Sequence, residues 1–304
     1  MQTDMKANNR TVVKAFYDAK TGSVQYVASC SATRKAVIID PVWDFDEMAA
    51  RTCPVNAEEI AAYVTSEGLE VVRILDTHPH ADHFSAAPYL KEKLGAPTAI
   101  GEHVVEVQKL WKSIYNLPGN FATDGSQWDH LFKDGETFEV GQLPGAVIFS
   151  PGHTLASVTY VIGDAAFVHD TLMMPDSGTS RADFPGGDAR ELFASIRRIL
   201  TLPDETRIFV GHDYGRNGRK PQWESTVREQ RESNIHLRGG TTEAEFVRLR
   251  EARDAELPLP HLMLAALQVN IRGGRLPETE DNGVSYLRIP LNRFSGPSQV
   301  CKSQ

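Results

Sequence analysis

Three imidazoles and a carboxylate fall within six consecutive positions, His78, His80, Asp82 and His83, in the stretch Thr77-His78-Pro79-His80-Ala81-Asp82-His83. Nothing else in the chain constrains its fold as tightly. The cluster follows Val71-Val72-Arg73-Ile74-Leu75-Asp76, an apolar run that reads as a buried strand. Ligand-type residues at the end of a buried strand stand on rigid support, as a metal site requires. Imidazole and carboxylate suit Zn, Fe, Mn or Ni. A His-rich surface loop that binds nothing is the bland alternative. A lone His-x-His would not decide between the two; the full cluster, with further ligand types downstream, favours the metal.

Those further residues also sit at expected strand ends. Pro151-Gly152-His153-Thr154 follows a strand ending at Ser150, His169-Asp170 closes a strand over 165–169, and Gly211-His212 closes one over 207–210. A glycine or a strand terminus lets each side chain project into a cleft. The candidate ligands are therefore His78, His80, Asp82, His83, His153, Asp170 and His212, on four loops. The other histidines, His103, His130, His169, His236 and His261, read as surface or structural residues.

The rest of the sequence bounds the class. At 304 residues, 41% hydrophobic and 24% charged, the chain fits a globular protein with an ample core. Its formal charge of −8, without a long run of one sign, argues against a general nucleic-acid binder or a binder of anionic membranes. No apolar segment approaches transmembrane length. The start, Met1-Gln2-Thr3-Asp4-Met5-Lys6, has neither an apolar signal core nor the arginines of a transit peptide. Cys30, Cys53 and Cys301 are sparse and odd in number, so no disulfide framework is expected and a reducing compartment is the default. The expected location is the cytoplasm.

Two β-rich halves alternate with helices. Strands are expected over 12–17, 23–28, 35–40, 71–76 and 97–100. Helices are expected over 56–67, 86–94 and 104–115, and a long loop over 116–136. A second β-rich stretch covers 137–140, 146–150, 157–162 and 165–169, with Gly163-Asp164 as a two-residue turn. A helix over 188–200, a strand over 207–210 and helices over about 222–234 and 242–255 follow. The remainder, with Pro-rich 258–260, reads as a tail around 262–271 and 285–290. Two sheets face to face with helices outside is the natural layer solution. Residues 1–235 read as one domain and 236–304 as a C-terminal extension packed on it.

In order, His-x-His-x-Asp-His, His, Asp and His resemble the metallo-β-lactamase superfamily over roughly residues 11–235. The resemblance implies an α/β fold, the αββα four-layer sandwich, with a metal site along one edge. In dinuclear members the residues matching His78, His80 and His153 hold one metal. Those matching Asp82, His83 and His212 hold the other, and the match of Asp170 bridges. That implies a zinc hydrolase, with a glyoxalase II-like thioesterase as its best form.

A narrower resemblance points to the persulfide dioxygenases. It is carried by Thr77-His78-x-His80-Ala81-Asp82-His83, by His169-Asp170-Thr171-Leu172, by Ser177 through Gly187, and by Gly211-His212-Asp213-Tyr214. Leu267-Gln268-Val269-Asn270-Ile271-Arg272 is similar to the bacterial branch. Thr179-Ser180 stands where the animal form has Cys-Gly. The resemblance implies one Fe(II) per chain on His78, His153 and Asp170, a two-His, one-carboxylate triad with open positions. His80, Asp82, His83 and His212 then orient ligands and bound waters.

The implied substrates are glutathione persulfide and O2, converted to glutathione and sulfite. Glutathione persulfide is anionic, so its pocket wants Arg, Lys and Tyr. Arg181 and Tyr214 are the candidates, with an ion pair to Asp183 as the structural alternative for Arg181. The basic residues Arg216, Arg219 and Lys220 read as a solvated loop. A zinc hydrolase of a thioester, lactone or β-lactam remains a second reading, and a metal-bound scaffold or sensor without turnover a third. Ligand identities alone do not choose between Fe and Zn, or between one metal and two. A homodimer stays open.

Overall fold

The computed structural model describes residues 10–294; Cys301 and the Met1–Lys6 start lie outside them. In chain order the first half comprises β1 (Thr11–Tyr17), β2 (Val24–Cys30), β3 (Lys35–Ile39), β4 (Val42–Asp46), β5 (Arg51–Cys53), α1 (Val55–Ser66), β6 (Glu70–Leu75), β7 (Phe84–Ser85), α2 (Ala87–Leu94), β8 (Thr98–Gly101), α3 (Val104–Ile114) and β9 (His130–Phe132). The second half comprises β10 (Thr137–Val140), β11 (Leu143–Phe149), β12 (Val158–Ile162), β13 (Ala165–His169), α4 (Ala189–Ile199), β14 (Arg207–Val210), β15 (Glu224–Thr226), α5 (Val227–Ser233), α6 (Glu243–Asp254) and α7 (Met263–Asn270).

Two six-stranded sheets, ordered β1-β2-β3-β6-β8-β9 and β10-β11-β12-β13-β14-β15, form the middle layers. Val24, Tyr26, Val37, Val147, Tyr160 and Phe167 belong to the core between them. On the outer face of the first sheet, Ile60, Ala61 and Val64 of α1 and Leu90 of α2 meet Val27, Ile38 and Ile74. On that of the second, Leu192, Ile196 and Ile199 of α4 and Phe246 of α6 meet Val168, Ile208 and Val210. Each sheet thus buries both faces, and the chain has the αββα metallo-β-lactamase architecture.

Several local expectations need correction. The stretch 116–136 is not all loop, because β9 pairs in parallel with β8. Residues 224–226 form β15 on the edge of β14, so α5 begins only at Val227. The Thr226–Glu229 capping box marks that start. A third sheet, β5-β4-β7, was not foreseen; its strands are two to five residues long and carry little periodic signal. In the tail, Ser285 makes an isolated bridge with Thr279.

Candidate metal centre

The site forms along one edge where the two sheets are tied together. The Tyr160 hydroxyl donates to the Asp76 carbonyl (2.9 Å), Val158 N donates to the Thr77 carbonyl (3.0 Å), and Val24 N donates to the Gly211 carbonyl (2.8 Å). These bonds bring the ends of β6, β13 and β14 and the β11–β12 connection to one place. Two glycines are required here. At Gly152, with φ of 126°, a Cβ would lie 2.2 Å from the Leu192 nitrogen; at Gly211 it would lie 2.9 Å from Asp170 Oδ1. His169 itself takes a left-handed φ of 41° at a register shift in β13, which turns the chain to present Asp170.

Ring orientation follows from hydrogen bonds behind the histidines. The Thr77 hydroxyl donates to Asp40 Oδ2 (2.8 Å), so its lone pair accepts from His78 Nδ1, 3.0 Å away. His153 Nδ1 donates to the Arg181 carbonyl at 2.8 Å. Both imidazoles are thereby fixed as Nδ1–H tautomers, leaving each Nε2 with a free lone pair. His78 Nε2 is buried and has no hydrogen-bond partner. The two Nε2 atoms lie 3.8 and 3.6 Å from Asp170 Oδ2. One ion with bonds of about 2.1 Å spans ligand atoms up to roughly 4.2 Å apart. Buried neutral imidazoles with orphaned lone pairs facing a carboxylate therefore fit a divalent transition metal.

The remaining candidates converge beside this triad. His80, Asp82 and His83 form a second cluster whose ligand atoms, one per residue, lie within 4.8 Å of one another. His80 thus groups with Asp82 and His83 rather than with His78 and His153. Asp82 Oδ2 accepts from Ser23 Oγ (2.7 Å) and lies 2.9 Å from His83 Nδ1 and 2.7 Å from His212 Nε2. His212 Nδ1 is 2.5 Å from Asp170 Oδ1, so His212 links the two carboxylates. His83 Nε2 and His80 Nδ1 are buried without partners.

The electrostatics follow this geometry. Burial, with the imidazoles of His80, His169 and His153, holds His78 well below the usual imidazole range. Burial opposes charge on His212, but the Asp170 and Asp82 carboxylates outweigh it and raise its pKa well above the ordinary value. Burial likewise opposes ionisation of Asp170, yet His212 and His153 hold its pKa down. For His80, burial is outweighed by Asp40, whose Oδ1 lies 3.0 Å from Nε2, and the pKa rises to about 9.

A cavity of about 710 Å3 opens over the cluster, with Asp82, His153, Asp170 and His212 along its floor. Tyr214 lines it, 68% exposed, with its ring stacked on His212 at 5.8 Å between centroids. Arg181 also lines it, but its guanidinium is engaged: Nε and Nη2 lie 2.6 and 2.7 Å from the Asp183 carboxylate, and Nη1 donates to the Pro258 carbonyl at 2.6 Å. The ion pair weighed as the structural alternative for Arg181 is thus the arrangement found.

A family model for the metallo-β-lactamase superfamily matches residues 22–212. This chain belongs to the metallo-β-lactamase superfamily. Among curated relatives, it is 64% identical over 284 residues to a "Beta-lactamase hydrolase-like protein" of Agrobacterium fabrum, covering 93% of this chain and 65% of that protein. The chain thus spans just under two thirds of that relative's length. It is 45% identical to "Glyoxylase B2" of Dictyostelium discoideum, covering 94% of this chain and 98% of that protein. It is 29% identical to the mitochondrial persulfide dioxygenase of Homo sapiens, covering 86% and 89%. The solved structure of ETHE1 from Myxococcus xanthus superposes with a TM-score of 0.69 at 29% identity, covering 87% of this chain and 100% of that one.

Superfamily membership and the placement of ligand types were readable from the sequence; the supports behind them were not. Asp40 and Ser23 carry no motif signal, and Thr77, though it opens the motif, shows its role only through its bonds to Asp40 and His78. Asp76, next to the cluster, is buried between Ser85 Oγ (2.8 Å) and Trp128 Nε1 (2.9 Å); burial raises its pKa to about 6. His169 is structural, as expected: its Nε2 meets Ser150 Oγ (3.1 Å) and Thr171 Oγ1 (2.9 Å). His236 is buried beneath the loop that follows Asp170, where Thr179 N donates to its Nδ1 at 3.0 Å. Among the described residues no helix is long and apolar enough to cross a membrane.

Proposed function

We propose that this chain is a mononuclear non-haem iron sulfur dioxygenase that converts glutathione persulfide and O2 to glutathione and sulfite. One observation carries the reading. The segment after Asp170, which bears the persulfide-dioxygenase-like motif, is bonded to two members of the triad. The Ser180 hydroxyl donates to the Asp170 carbonyl, and the Arg181 carbonyl accepts from His153 Nδ1. The motif thus supports the triad directly. The persulfide dioxygenase among the relatives supports the same reading.

Iron(II) held by two imidazoles and one carboxylate would supply a redox-active centre with adjacent open positions for sulfur and oxygen. His78, His153 and Asp170 would hold it, with Thr77, the Arg181 carbonyl and His212 fixing their orientation. Phe184 and Met173 present apolar surface to the same cavity and limit the water that reaches the sulfur. The balance is one persulfide, one O2 and one water giving one thiol and one sulfite; the outer sulfur is oxidised and O2 reduced.

A dinuclear zinc hydrolase acting on a thioester or lactone is the second reading. Its specific support is the His80–Asp82–His83 cluster, together with the relatives named hydrolase-like and glyoxylase. The separating experiment uses one anaerobically purified preparation. An oxygen electrode follows glutathione persulfide while a parallel thioester assay follows S-lactoylglutathione. The proposal expects O2 uptake matched by sulfite release and negligible thioester cleavage. Oxygen-independent cleavage at ordinary enzyme rates, on the order of 10 per second, places the chain with the hydrolases.

A further inference from the structure

Besides Arg181, three guanidinium groups line the cavity over the metal centre, on Arg216, Arg250 and Arg253. They are not equivalent. Arg250 is fully buried, bonds Asp254 Oδ1 through Nε (3.0 Å) and Nη2 (2.7 Å), and donates to the Thr179 carbonyl at 2.8 Å. Arg253 lies three residues further along α6, on the same helical face. Among the described residues its guanidinium has neither a carboxylate partner nor a hydrogen bond.

Arg216 sits in a rigid turn between Gly215 (φ 62°) and Asn217 (φ 56°). Arg219 clamps that turn, with contacts of 2.7 and 2.8 Å to the Asp176 carboxylate and 2.8 Å to Asp213 Oδ1. Arg216 donates to the Asp176 backbone carbonyl and has no carboxylate ion pair among the described residues. The Asp176 carboxylate near it is already gripped by Arg219. Burial and the neighbouring Arg250 and Arg216 push the Arg253 pKa down, against the opposing pull of Asp254 and Glu256.

The adjoining wall is Leu257, Pro258, Leu259 and Pro260 from the C-terminal extension, held by the Arg181 bond to Pro258. The cavity therefore runs from carboxylates and imidazoles, past an apolar strip, to two guanidiniums without a carboxylate of their own. We infer that Arg216 and Arg253 form an anion subsite that takes a carboxylate of the thiol carrier at its end remote from the sulfur, with Leu257–Pro260 against the intervening chain. The inference deepens the proposed reading and rests on its glutathione-class substrate. It moves carboxylate recognition from Arg181, whose guanidinium is engaged, to a turn and a helix beyond the segment that matches the family model.

The test is calorimetric binding of glutathione and of glutathione diethyl ester to the metal-loaded protein, wild type, Arg216→Met, Arg253→Met and Arg253→Lys. Each Met variant should weaken glutathione binding roughly tenfold, the scale of one charge-assisted contact. Arg253→Lys should restore part of it. The diester should bind wild type more weakly than the acid and be insensitive to the Met variants. Metal content and melting temperature should not change for Arg253→Met, because the residue is exposed and its guanidinium makes no hydrogen bond among the described residues. If Arg216→Met does not fold, the Arg253 variants decide alone. Equal affinity for acid and ester, or an Arg253→Met protein that binds glutathione like wild type, overturns the subsite. Binding is read without turnover: absent O2 uptake with carboxylate-dependent binding rejects the reaction and keeps the subsite. O2 uptake with equal affinity for acid and ester does the reverse.

Discussion

Asn270 donates its side-chain amide to the backbone carbonyl of His83 at 2.7 Å, across 187 residues of sequence. The same amide nitrogen donates to the His80 carbonyl at 2.8 Å, and its oxygen accepts from Ser85 N at 2.8 Å. One buried side chain at the end of α7 thus satisfies three backbone groups of the loop that carries His80, Asp82 and His83. The carbonyls of a ligand loop cannot pair within a sheet, so something must satisfy them or the loop must open to water. A single residue beyond the family-matched segment does so here.

Asn270→Ala should therefore destabilise the protein by about 3 kcal/mol, because buried carbonyls and an amide lose their partners together. Metal affinity should fall with it, since the loop is no longer held. Thermal melts of metal-loaded and metal-stripped protein check this. A variant that melts and binds metal like wild type would show that the loop is held by other contacts.

The triad and the second cluster make different predictions for metal loading. His78→Ala removes a buried ligand and should lose iron and activity together. Asp82→Asn should keep most of the iron, because Asp82 belongs to the neighbouring cluster. Metal analysis after anaerobic purification is expected to give one iron per chain. Two zinc ions per chain in active protein, or equal metal loss in both variants, would favour the dinuclear hydrolase.

Arg181→Ala is expected to raise KM with iron content unchanged. Its route is indirect: the guanidinium braces Asp183 and the Pro258 carbonyl, so its loss frees the wall formed by Leu257–Pro260. The His153 support is the backbone carbonyl of Arg181, which alanine retains. The KM increase should be smaller than that of Arg253→Met, and steady-state kinetics on both variants measure the order. Loss of iron in Arg181→Ala would mean that the ion pair holds the triad itself.

The site was legible where chemistry forces residue identity. His78, His153, Asp170 and their neighbours are ligand types at strand ends, a pattern that survives without coordinates. The cavity position of Arg216 was not legible, because a basic residue in a Gly-rich turn reads as solvated and only the fold sets it in the same cavity wall as Arg253. Asn270 lay within a motif, yet its partners are backbone carbonyls, which leave no trace in residue identity. The fold shows the same division: apolar runs bounded by turn residues, such as β2 and β12, stood out, whereas β5 and β7, three and two residues long, were too short to express a period.

The last prediction concerns acid. His236 Nδ1 accepts from Thr179 N, which requires that nitrogen unprotonated. Burial, reinforced by the Arg250, Arg253 and Arg216 guanidiniums packed around it, lowers its pKa from 6.5 to about 4. The folded state therefore binds the proton less readily than the unfolded chain. The stabilisation from neutral His236 is complete above about pH 6.5, shrinks as the pH falls, and is gone once the pH has passed through about 4. At full extent that difference is worth roughly 3 kcal/mol. His236→Gln keeps an acceptor for Thr179 N and does not titrate. Urea unfolding of metal-loaded wild type and variant between pH 7 and pH 4 should show the wild type losing stability faster, and the difference between the curves isolates His236 from the ligand histidines, which both proteins share. Parallel curves would mean that the buried imidazole accepts its proton without cost, and that the loop carrying Thr179, Ser180 and Arg181 does not depend on it.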